Sequence, residues 1–377
     1  MTKRSSWVQI ILFTAFITVF FLLFLLIPDR TFSERENREL TQAPAFSFES
    51  LFAKKFTTKF ESYTTDQFPF RDSWTTLKAR SEFAIGKEEN KGVYLCNGDT
   101  LIEAYEAPAQ EQLDTNINAV KSFAKNSEVP VYFALIPGNS EIHSKILPNN
   151  APNDCQKDVI DYCYANSGTN NIDIDTALTA HADEYIFYRT DHHWTSLGAY
   201  YGYETIMKSM GYTPTPLSSF TPKTVSDAFY GTVYSKSGIS WVKPDTIEIF
   251  AEQDAATEIT NYSSTEPVIG ALYDNAFLDK KDKYSMFMGG NTSLLTVKTA
   301  NTDAPSILIL RDSYMDSLIP FMQSNFSEIH VMDLRYYKTQ LVDSTVSDYV
   351  KEHGIDEVLV CYSVSNFGTD TNVFMLS

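Results

Sequence analysis

Hydrophobic and polar positions change their spacing along the chain, which divides it into three segments. The first, residues 1–28, holds an uncharged apolar run from Trp7 to Ile27 that follows Lys3 and Arg4. As a helix this run is roughly 30 Å long, which is enough to cross a bilayer. Because no small-residue cleavage site follows it, we expect an uncleaved transmembrane signal anchor, with a cleaved signal peptide as the alternative. The positive charges before the run predict a cytoplasmic N-terminus and an extracytoplasmic remainder.

The second segment, residues 29–90, carries two amphipathic helical patterns separated by Phe68-Pro69-Phe70-Arg71. This pattern predicts a helical stalk or collar. In the third segment, residues 91–377, short β-rich apolar runs alternate with helical periodicity, which predicts an α/β domain with a parallel sheet covered by helices. The predicted strands are Val129–Ile136, Asn171–Ile174, Pro305–Leu310, Glu328–Met332 and Glu357–Ser363. Helices are predicted at Thr195–Met210, Tyr314–Phe326 and Thr339–Glu352, among others.

Between about residues 212 and 302 the alternation of strands and helices breaks into short β-like runs. These runs are Thr246–Ala251, Pro267–Tyr273, Tyr284–Met288 and Leu294–Lys298. We interpret this region as a β-rich antiparallel insertion or lid.

The composition of the chain argues against some classes of function. The formal net charge of −18 over 377 residues argues against nucleic acid as a partner and against a polybasic hold on anionic lipid. The abundant Tyr and Phe residues indicate core packing, with sugar stacking as the alternative. The four cysteines form no CxxC motif, and we assign none a catalytic role.

Candidate chemistry lies in two short strings. Ser313 follows directly after a predicted buried strand and precedes a predicted helix, so we expect it at the carboxyl edge of the sheet, where helix N–H groups stabilise an oxyanion. Asp191 and His193 stand two residues apart before the helix that Thr195 or Ser196 would cap. A carboxylate beside a histidine sets its tautomer, so the three residues together predict a serine hydrolase triad.

Simpler interpretations exist for both strings. An Asp-Ser-Tyr turn is also a common helix N-cap. Two histidines beside an aspartate are also a metal-binding pattern, although no further acidic ligands in spaced motifs accompany them here. We therefore expect no metal and no cofactor.

The string Asp191-His192-His193-Trp194 resembles the signature of the bacterial DHHW proteins, and the chain resembles their relatives, the alginate O-acetylation proteins, which share an SGNH-hydrolase-like domain. The supporting matches are Phe32-Ser33 with Glu36-Asn37-Arg38, Asp66 with Phe68-Pro69-Phe70-Arg71, Gly289-Gly290-Asn291, and Asp312-Ser313-Tyr314. This resemblance implies that Asp191 is the orienting acid, His193 the base and Ser313 the nucleophile. Arg311 stands where the relatives usually have glycine, and it would either face the substrate or restrict the turn.

The resemblance also implies a circular permutation, because SGNH hydrolases carry the nucleophile before the acid and base. The strands after Ser313 should then end at the oxyanion donors, which we assign to the Asn366 side chain and a backbone N–H near Leu334. Four residues are predicted to bind substrate: His192, Trp194, Tyr314 and Arg335. Packing is the alternative for Trp194. Arg71 and Arg335 are candidates for binding an anionic glycan, and an ordinary ion pair is the alternative for each.

The sequence thus predicts a circularly permuted SGNH-hydrolase-like (flavodoxin-like) α/β domain on a membrane anchor. Its expected function is that of an extracytoplasmic O-acetyltransferase or acetylesterase on a cell-surface polysaccharide. The resemblance implies a multi-pass membrane acyltransferase as partner. The alternative hypothesis is a non-enzymatic glycan-binding or scaffold protein of a polysaccharide-acetylation complex.

Overall fold

Helix α1, Lys3–Leu26, covers nearly all of the apolar run near the N-terminus. Its segment Ser6–Leu26 is long and apolar enough to cross a membrane. The computed structural model describes residues 3–250, 256–264, 266–337 and 345–376. The chain divides into two compact units, one of residues 1–91 with 235–240, and one of residues 92–234 with 241–377.

The first unit contains short strands and helices after α1. They are β1 Phe32–Ser33, β2 Arg38–Glu39, α2 Phe48–Phe52, α3 Lys55–Asp66, α4 Arg71–Ala84 and β3 Glu89–Asn90. Ion pairs between motif residues connect these elements. Arg38 donates to Glu36 at 2.8 Å and to Asp66 at 2.6 Å, and Arg71 donates to Glu36 at 2.9 Å. Arg71 is therefore committed to an ion pair, the simpler of the two roles predicted for it.

The second unit carries the large sheet. Its strands are β4 Val93–Cys96, β5 Thr100–Glu103, β6 Val131–Ile136, β7 Asn170–Ile172, β8 Lys223–Phe229, β9 Asp245–Ile249, β10 Ala256–Asn261, β11 Val268–Ile269, β12 Leu294–Thr299, β13 Ser306–Arg311, β14 Glu328–Met332 and β15 Glu357–Ser363. The remaining helices are α5 Gln110–Asn126, α6 Asn139–Ile142, α7 Gln156–Ser167, α8 Ile174–Ala180, α9 Ser196–Ser209, α10 Thr232–Ser237, α11 Leu334–Tyr337, α12 Val346–Glu352 and α13 Val364–Thr369.

Eight strands form one mixed sheet, in the order β11-β10-β12-β14-β13-β15-β6-β7. The five strands from β14 to β7 are parallel, as the alternating pattern predicts. The other three come from the β-rich region, and β12 joins the sheet antiparallel to β14. The sheet is therefore mixed, because strands from the region interpreted as an insertion extend its edge.

Alternating side chains on the central strands fill two separate cores. On β13, Ile307 and Ile309 pack with α8 and α9, whereas Leu308 and Leu310 pack on the opposite face with α5, α7 and α12. All four side chains are fully buried. Burying one such side chain contributes about 1.5–3 kcal/mol, so this two-sided burial holds the strand before Ser313 rigidly in place.

Two predicted elements change type in the structure, and part of a third lies outside the described residues. The segment predicted as one helix after Ser313 forms two 3₁₀ turns, Ser313–Ser317 and Ile319–Ser324, with Pro320 at the start of the second. Proline has no N–H to continue an α-helix across that point. The predicted strand Tyr284–Met288 begins with a 3₁₀ turn, Tyr284–Met286. The start of the predicted helix Thr339–Glu352 lies outside the described residues, and α12 begins at Val346.

Candidate active site

Ser313 sits on a tight turn at the carboxyl end of β13. The turn is capped by Asp312, whose carboxylate accepts a hydrogen bond from the Tyr314 N–H at 3.0 Å. Asp312 and Tyr314 are buried, while Ser313 keeps partial exposure. Asp312 and Ser313 are therefore neighbours in one turn, and the capping role of the Asp-Ser-Tyr string belongs to Asp312.

A chain of hydrogen bonds joins Ser313, His193 and Asp191. His193 Nε2 lies 2.9 Å from Ser313 Oγ, and His193 Nδ1 lies 2.5 Å from Asp191 Oδ1. An ionised carboxylate only accepts hydrogen bonds, so in the neutral form of the ring Nδ1 carries the proton and the Nε2 lone pair faces the serine hydroxyl. Residues 120 positions apart in the sequence thus meet in the geometry that proton transfer requires.

Asp191 is held by donors from another segment of the chain. Its Oδ2 accepts from the Thr232 N–H at 2.7 Å and from the Thr232 hydroxyl at 2.9 Å. A Cβ at Gly231 would stand 2.2 Å from this oxygen, so only glycine allows the close approach. Burial raises the pKa of Asp191, but His192, His193 and the Thr232 N–H outweigh it and hold the pKa well below its usual range. The carboxylate therefore stays ionised.

Tyr284 covers one face of the His193 ring. Its ring stacks on the His193 imidazole, with ring centroids 3.8 Å apart and planes within 7°. Its hydroxyl donates to the Ser313 carbonyl at 3.1 Å and approaches Ser317 Oγ at 3.2 Å. Burial holds the pKa of Tyr284 well above its usual value, so the hydroxyl remains a donor. Neither the family motifs nor the periodicity singled out Tyr284 or Thr232.

His192 and Tyr314, both predicted to bind substrate, line a cleft that Asp191 also lines. His192 Nδ1 lies 2.6 Å from the Thr232 hydroxyl, and the His192 carbonyl accepts a short hydrogen bond from the Tyr314 hydroxyl. Burial and the neighbouring His193 lower the pKa of His192. A neutral imidazole therefore faces the cleft.

The cleft has a volume of about 370 Å³. Apolar side chains line one part of it, and polar groups from the carboxyl ends of β6 and β15 line another. The lining includes Leu101, Pro108, Val233, Asn139, Ser140 and Asn366. The cleft therefore combines apolar walls with a few polar groups, as ligand pockets usually do.

Asn366 lies where the permuted order predicts it, after β15, and it bonds to the serine turn. Its Nδ2 donates to Asp312 Oδ2 at 2.8 Å, and the same oxygen accepts from the Ser363 N–H and hydroxyl at 2.8 and 2.6 Å. An amide carries two N–H donors, so one remains for another acceptor. Asp312 thereby links the ends of β13 and β15.

Trp194, Leu334 and Arg335 lie away from the cleft lining. Trp194 is fully buried and its indole N–H donates to the Tyr314 carbonyl at 2.8 Å, which is the packing role given above as its alternative. The Leu334 side chain is buried in the core, which leaves only its backbone for a role in the site. Arg335 is paired with Asp333 at 2.6 Å, so its guanidinium is committed within the fold.

Arg311 does not face a substrate. Its side chain is fully buried, with Nη1 lying 3.0 Å from Asp316 and 3.6 Å from Asp333. Burial raises the pKa of Asp316 to about 7, although Arg311 opposes the shift. The arginine in place of the usual glycine thus supplies a buried cation beneath the serine turn.

Metal ligation competes with these hydrogen bonds. Asp191, His192 and His193 are the one group in the described ranges whose three ligand atoms lie within 4.8 Å of one another. Both ring nitrogens of His193 are already occupied, one by Asp191 and the other by Ser313. A metal ion would have to break one of these bonds, so the arrangement favours proton transfer.

Comparisons with known proteins show a family match and several similar solved structures. A family model described as DHHW protein matches residues 82–332, and no curated protein matches. Similar solved structures include a DHHW family protein from Eubacterium siraeum DSM 15702, at 25% identity over 76% of this chain and 95% of that one, with a TM-score of 0.64. Bacillus cereus PatB1 with a sulfonyl adduct has 18% identity over 76% and 98%, with a TM-score of 0.63.

The O-acetyltransferase domain of Pseudomonas putida AlgJ also matches, at 13% identity over 74% of this chain and 93% of that one, with a TM-score of 0.47. The DHHW model covers well over half of the 377 residues and includes both the Asp-His-His-Trp string and the Ser313 turn. The chain belongs to the DHHW family.

Proposed function

We propose that this protein is a membrane-anchored, extracytoplasmic serine enzyme that transfers or removes acetyl esters on a cell-surface polysaccharide. The observation that carries the proposal is the hydrogen-bonded chain from Ser313 through His193 to Asp191 beside the cleft. The acetyl group and the polysaccharide come from the resemblance of the motifs to those of the alginate O-acetylation proteins.

In the proposed reaction His193 Nε2 takes the proton of Ser313 as its Oγ attacks the acetyl carbonyl carbon. Asp191 stabilises the imidazolium that forms, and the imidazolium then gives its proton to the leaving alcohol oxygen. The acetyl group remains on Ser313 as an ester. Attack by a sugar hydroxyl completes transfer, whereas attack by water completes hydrolysis, with His193 acting as base again.

The tetrahedral oxyanion needs preorganised donors. We assign them to the Ser313 N–H, a backbone N–H near Leu334 and the Asn366 side chain. The bond from Asn366 to Asp312 supports this assignment, because it fixes the amide relative to the serine turn. His192 and Tyr314 are assigned to the substrate because they line the cleft.

We further propose that the fold is an SGNH-hydrolase-like sheet in circularly permuted order. Numbered from β13 and continued at β6 after β15, the five parallel strands lie in the order 2-1-3-4-5. That is the flavodoxin-like order. It would bring Ser313, Asn366 and the Asp191-His193 pair to one edge despite their reversed order along the chain.

The anchor, the orientation and the partner belong to the same proposal. The apolar segment Ser6–Leu26 supports a single span, and Lys3 and Arg4 before it support a cytoplasmic N-terminus. A multi-pass membrane acyltransferase would then supply the acetyl group to the catalytic unit.

A sulfonyl fluoride probe tests the proposal on the full chain, and PatB1, which shares the fold, has been solved with a sulfonyl adduct. We expect the probe to label wild type but neither Ser313→Ala nor His193→Ala, and an acetylated chromogenic ester to follow the same pattern. Ser365→Ala is the matched control, since Ser365 also lines the cleft. Labelling that persists in Ser313→Ala, or is absent from folded wild type, would contradict the proposed serine enzyme. The glycan-binding scaffold would then be the remaining hypothesis.

A further inference from the structure

Aromatic rings connect the apolar helix α1 to the helices that follow it within the first unit. Phe24 of α1 meets Tyr63 of α3 edge to face at 5.6 Å, and Phe20 stacks on Phe68 at 5.5 Å with planes within 4°. Phe20 also approaches Trp74 of α4 at 5.8 Å. These rings therefore lie against the segment that is long enough to cross a membrane.

From Tyr63 the contacts continue ring by ring along α3 and back to α2, at centroid distances of 5.2–6.1 Å. We call this series the aromatic ladder; its members are Phe24, Tyr63, Phe60, Phe56, Phe46 and Phe48. On α3 the spacing of four and then three residues places the rings on one face of the helix. The threonines at positions 58 and 65 lie on the opposite face.

Many of these aromatic rings, and the nearby Phe52, are exposed to solvent. Phe48 is 71% exposed and Phe52 is 84% exposed, while Phe46 and Phe60 are 57% and 45% exposed. Contiguous apolar patches of this kind are rare on soluble proteins and mark membrane or protein contacts. Burying one such ring contributes about 1.5–3 kcal/mol, so apolar surroundings would stabilise these exposed rings.

Continuity with α1 identifies those surroundings as lipid. Phe20 lies six residues before Leu26, which is about 9 Å along the helix axis. Phe68 and Trp74 contact Phe20 and therefore lie at that depth if α1 spans a bilayer. Tyr and Trp rings are enriched at membrane–water interfaces, and Phe is typical of the apolar face of helices that lie in the interface. The exposed Lys54 and Lys55, at the start of α3, can extend their amines to the headgroups.

We propose that α2, α3 and the start of α4 lie in the membrane interface beside α1, with the aromatic ladder and Phe52 inserted among the lipids. The ligand of this surface is the phospholipid bilayer itself. The first unit then does more than tether the chain. It restricts the rotation and tilt of the anchor, because a second amphipathic helix lies in the plane of the membrane.

The test uses the full chain in nanodiscs, with an environment-sensitive fluorophore on a single introduced cysteine. Cys155→Ser removes the exposed native thiol, since the other three cysteines are buried. Phe52→Cys and Phe60→Cys report the proposed lipid face. Thr58→Cys is the matched control, because it is exposed on the opposite face of the same helix as Phe60. Phe52 provides a site whose exposure makes the substitution compatible with folding.

We expect doxyl lipids labelled near the headgroup to quench the Phe52 and Phe60 labels at least about twofold more than the Thr58 label. Iodide in the water phase should show the reverse order. Equal iodide quenching at all three sites would overturn the proposal. Shielding of Phe52 and Phe60 from iodide without doxyl quenching would also overturn it, because the cover would then be a second protein copy.

Discussion

Replacing Asp191 by asparagine tests whether the Asp191 carboxylate orients His193 and stabilises its protonated form. Each carboxylate oxygen accepts one backbone N–H, Oδ1 from His193 at 3.0 Å and Oδ2 from Thr232 at 2.7 Å. The Nδ2 of an asparagine must face one of these donors in either orientation. One backbone N–H is therefore left unsatisfied, at a cost of about 1–3 kcal/mol in the free energy of unfolding.

The effect on rate comes from the lost charge. At a charge separation of about 4 Å and an effective dielectric constant of about 20, a carboxylate stabilises the imidazolium by about 4 kcal/mol. This energy corresponds to about 10³-fold in rate. If Nδ2 faces His193, the ring must also change its tautomer, Nε2 carries the proton, and Ser313 loses its base altogether.

The assay is the rate of Ser313 labelling by a sulfonyl fluoride, alongside turnover of an acetyl ester and a denaturant unfolding curve. Asp245→Asn is the matched control, since Asp245 is also fully buried and accepts from the Thr190 N–H at 2.8 Å without contacting His193. We expect both variants to lose stability and only Asp191→Asn to lose about 10³-fold in rate. A loss below tenfold in Asp191→Asn would refute the assigned role of the carboxylate.

Further predictions concern the surroundings of the base and of the serine turn. Tyr284→Phe keeps the ring on His193 but removes a hydroxyl worth about 1 kcal/mol, so turnover should fall less than about tenfold, whereas Tyr284→Leu should cost more. Asn366→Ala should lower kcat by about 10²–10³-fold in steady-state kinetics, and an unchanged kcat would remove Asn366 from the oxyanion site. Arg311→Leu leaves buried carboxylates without their cation and should cost about 3–5 kcal/mol in denaturant unfolding. The pKa of Asp316 is raised to about 7 in the folded state, whereas the unfolded state releases this proton near pH 3.8. The contribution of the protonated carboxyl to the free energy of unfolding is therefore present below pH 3.8 and is lost as the pH rises to 7. This loss is about 4 kcal/mol and should be absent from the pH series of Asp316→Asn; the same loss in that variant would assign the titration to another group.

The sequence was sufficient for the strands that carry the site. An apolar run buried on both faces, such as Ser306–Arg311, is recognisable without a structure because both of its faces lose water. The start of α9 was predicted with Thr195 or Ser196 as the cap, and in the structure Thr195 caps it, with its hydroxyl accepting from the Gly198 N–H at 3.3 Å. Local signals such as these depend on neighbours in the chain, which a sequence shows directly.

Several groups around the proposed triad left no such signal. Tyr284 reaches the base from 91 residues further along the chain, and Thr232 holds the acid from 41 residues away. Nothing in the local pattern of either residue differs from that of an ordinary core tyrosine or loop threonine. Their roles depend on which segments pack together, and that is a property of the folded chain.

Arg311 shows most clearly that the sequence does not predict the partners of a side chain. As a charged residue at a strand end, it suggested either a cation facing the substrate or a constraint on the turn, yet it is fully buried with Asp316 and Asp333 as partners. The pattern of apolar residues specifies which strands are buried and where each ends, because burial on both faces constrains every residue of the strand. Only the tertiary structure specifies which of these strand ends meet. The partners of a buried charge or of a base come from distant segments, and the spacing of these segments along the chain does not give their distance in space.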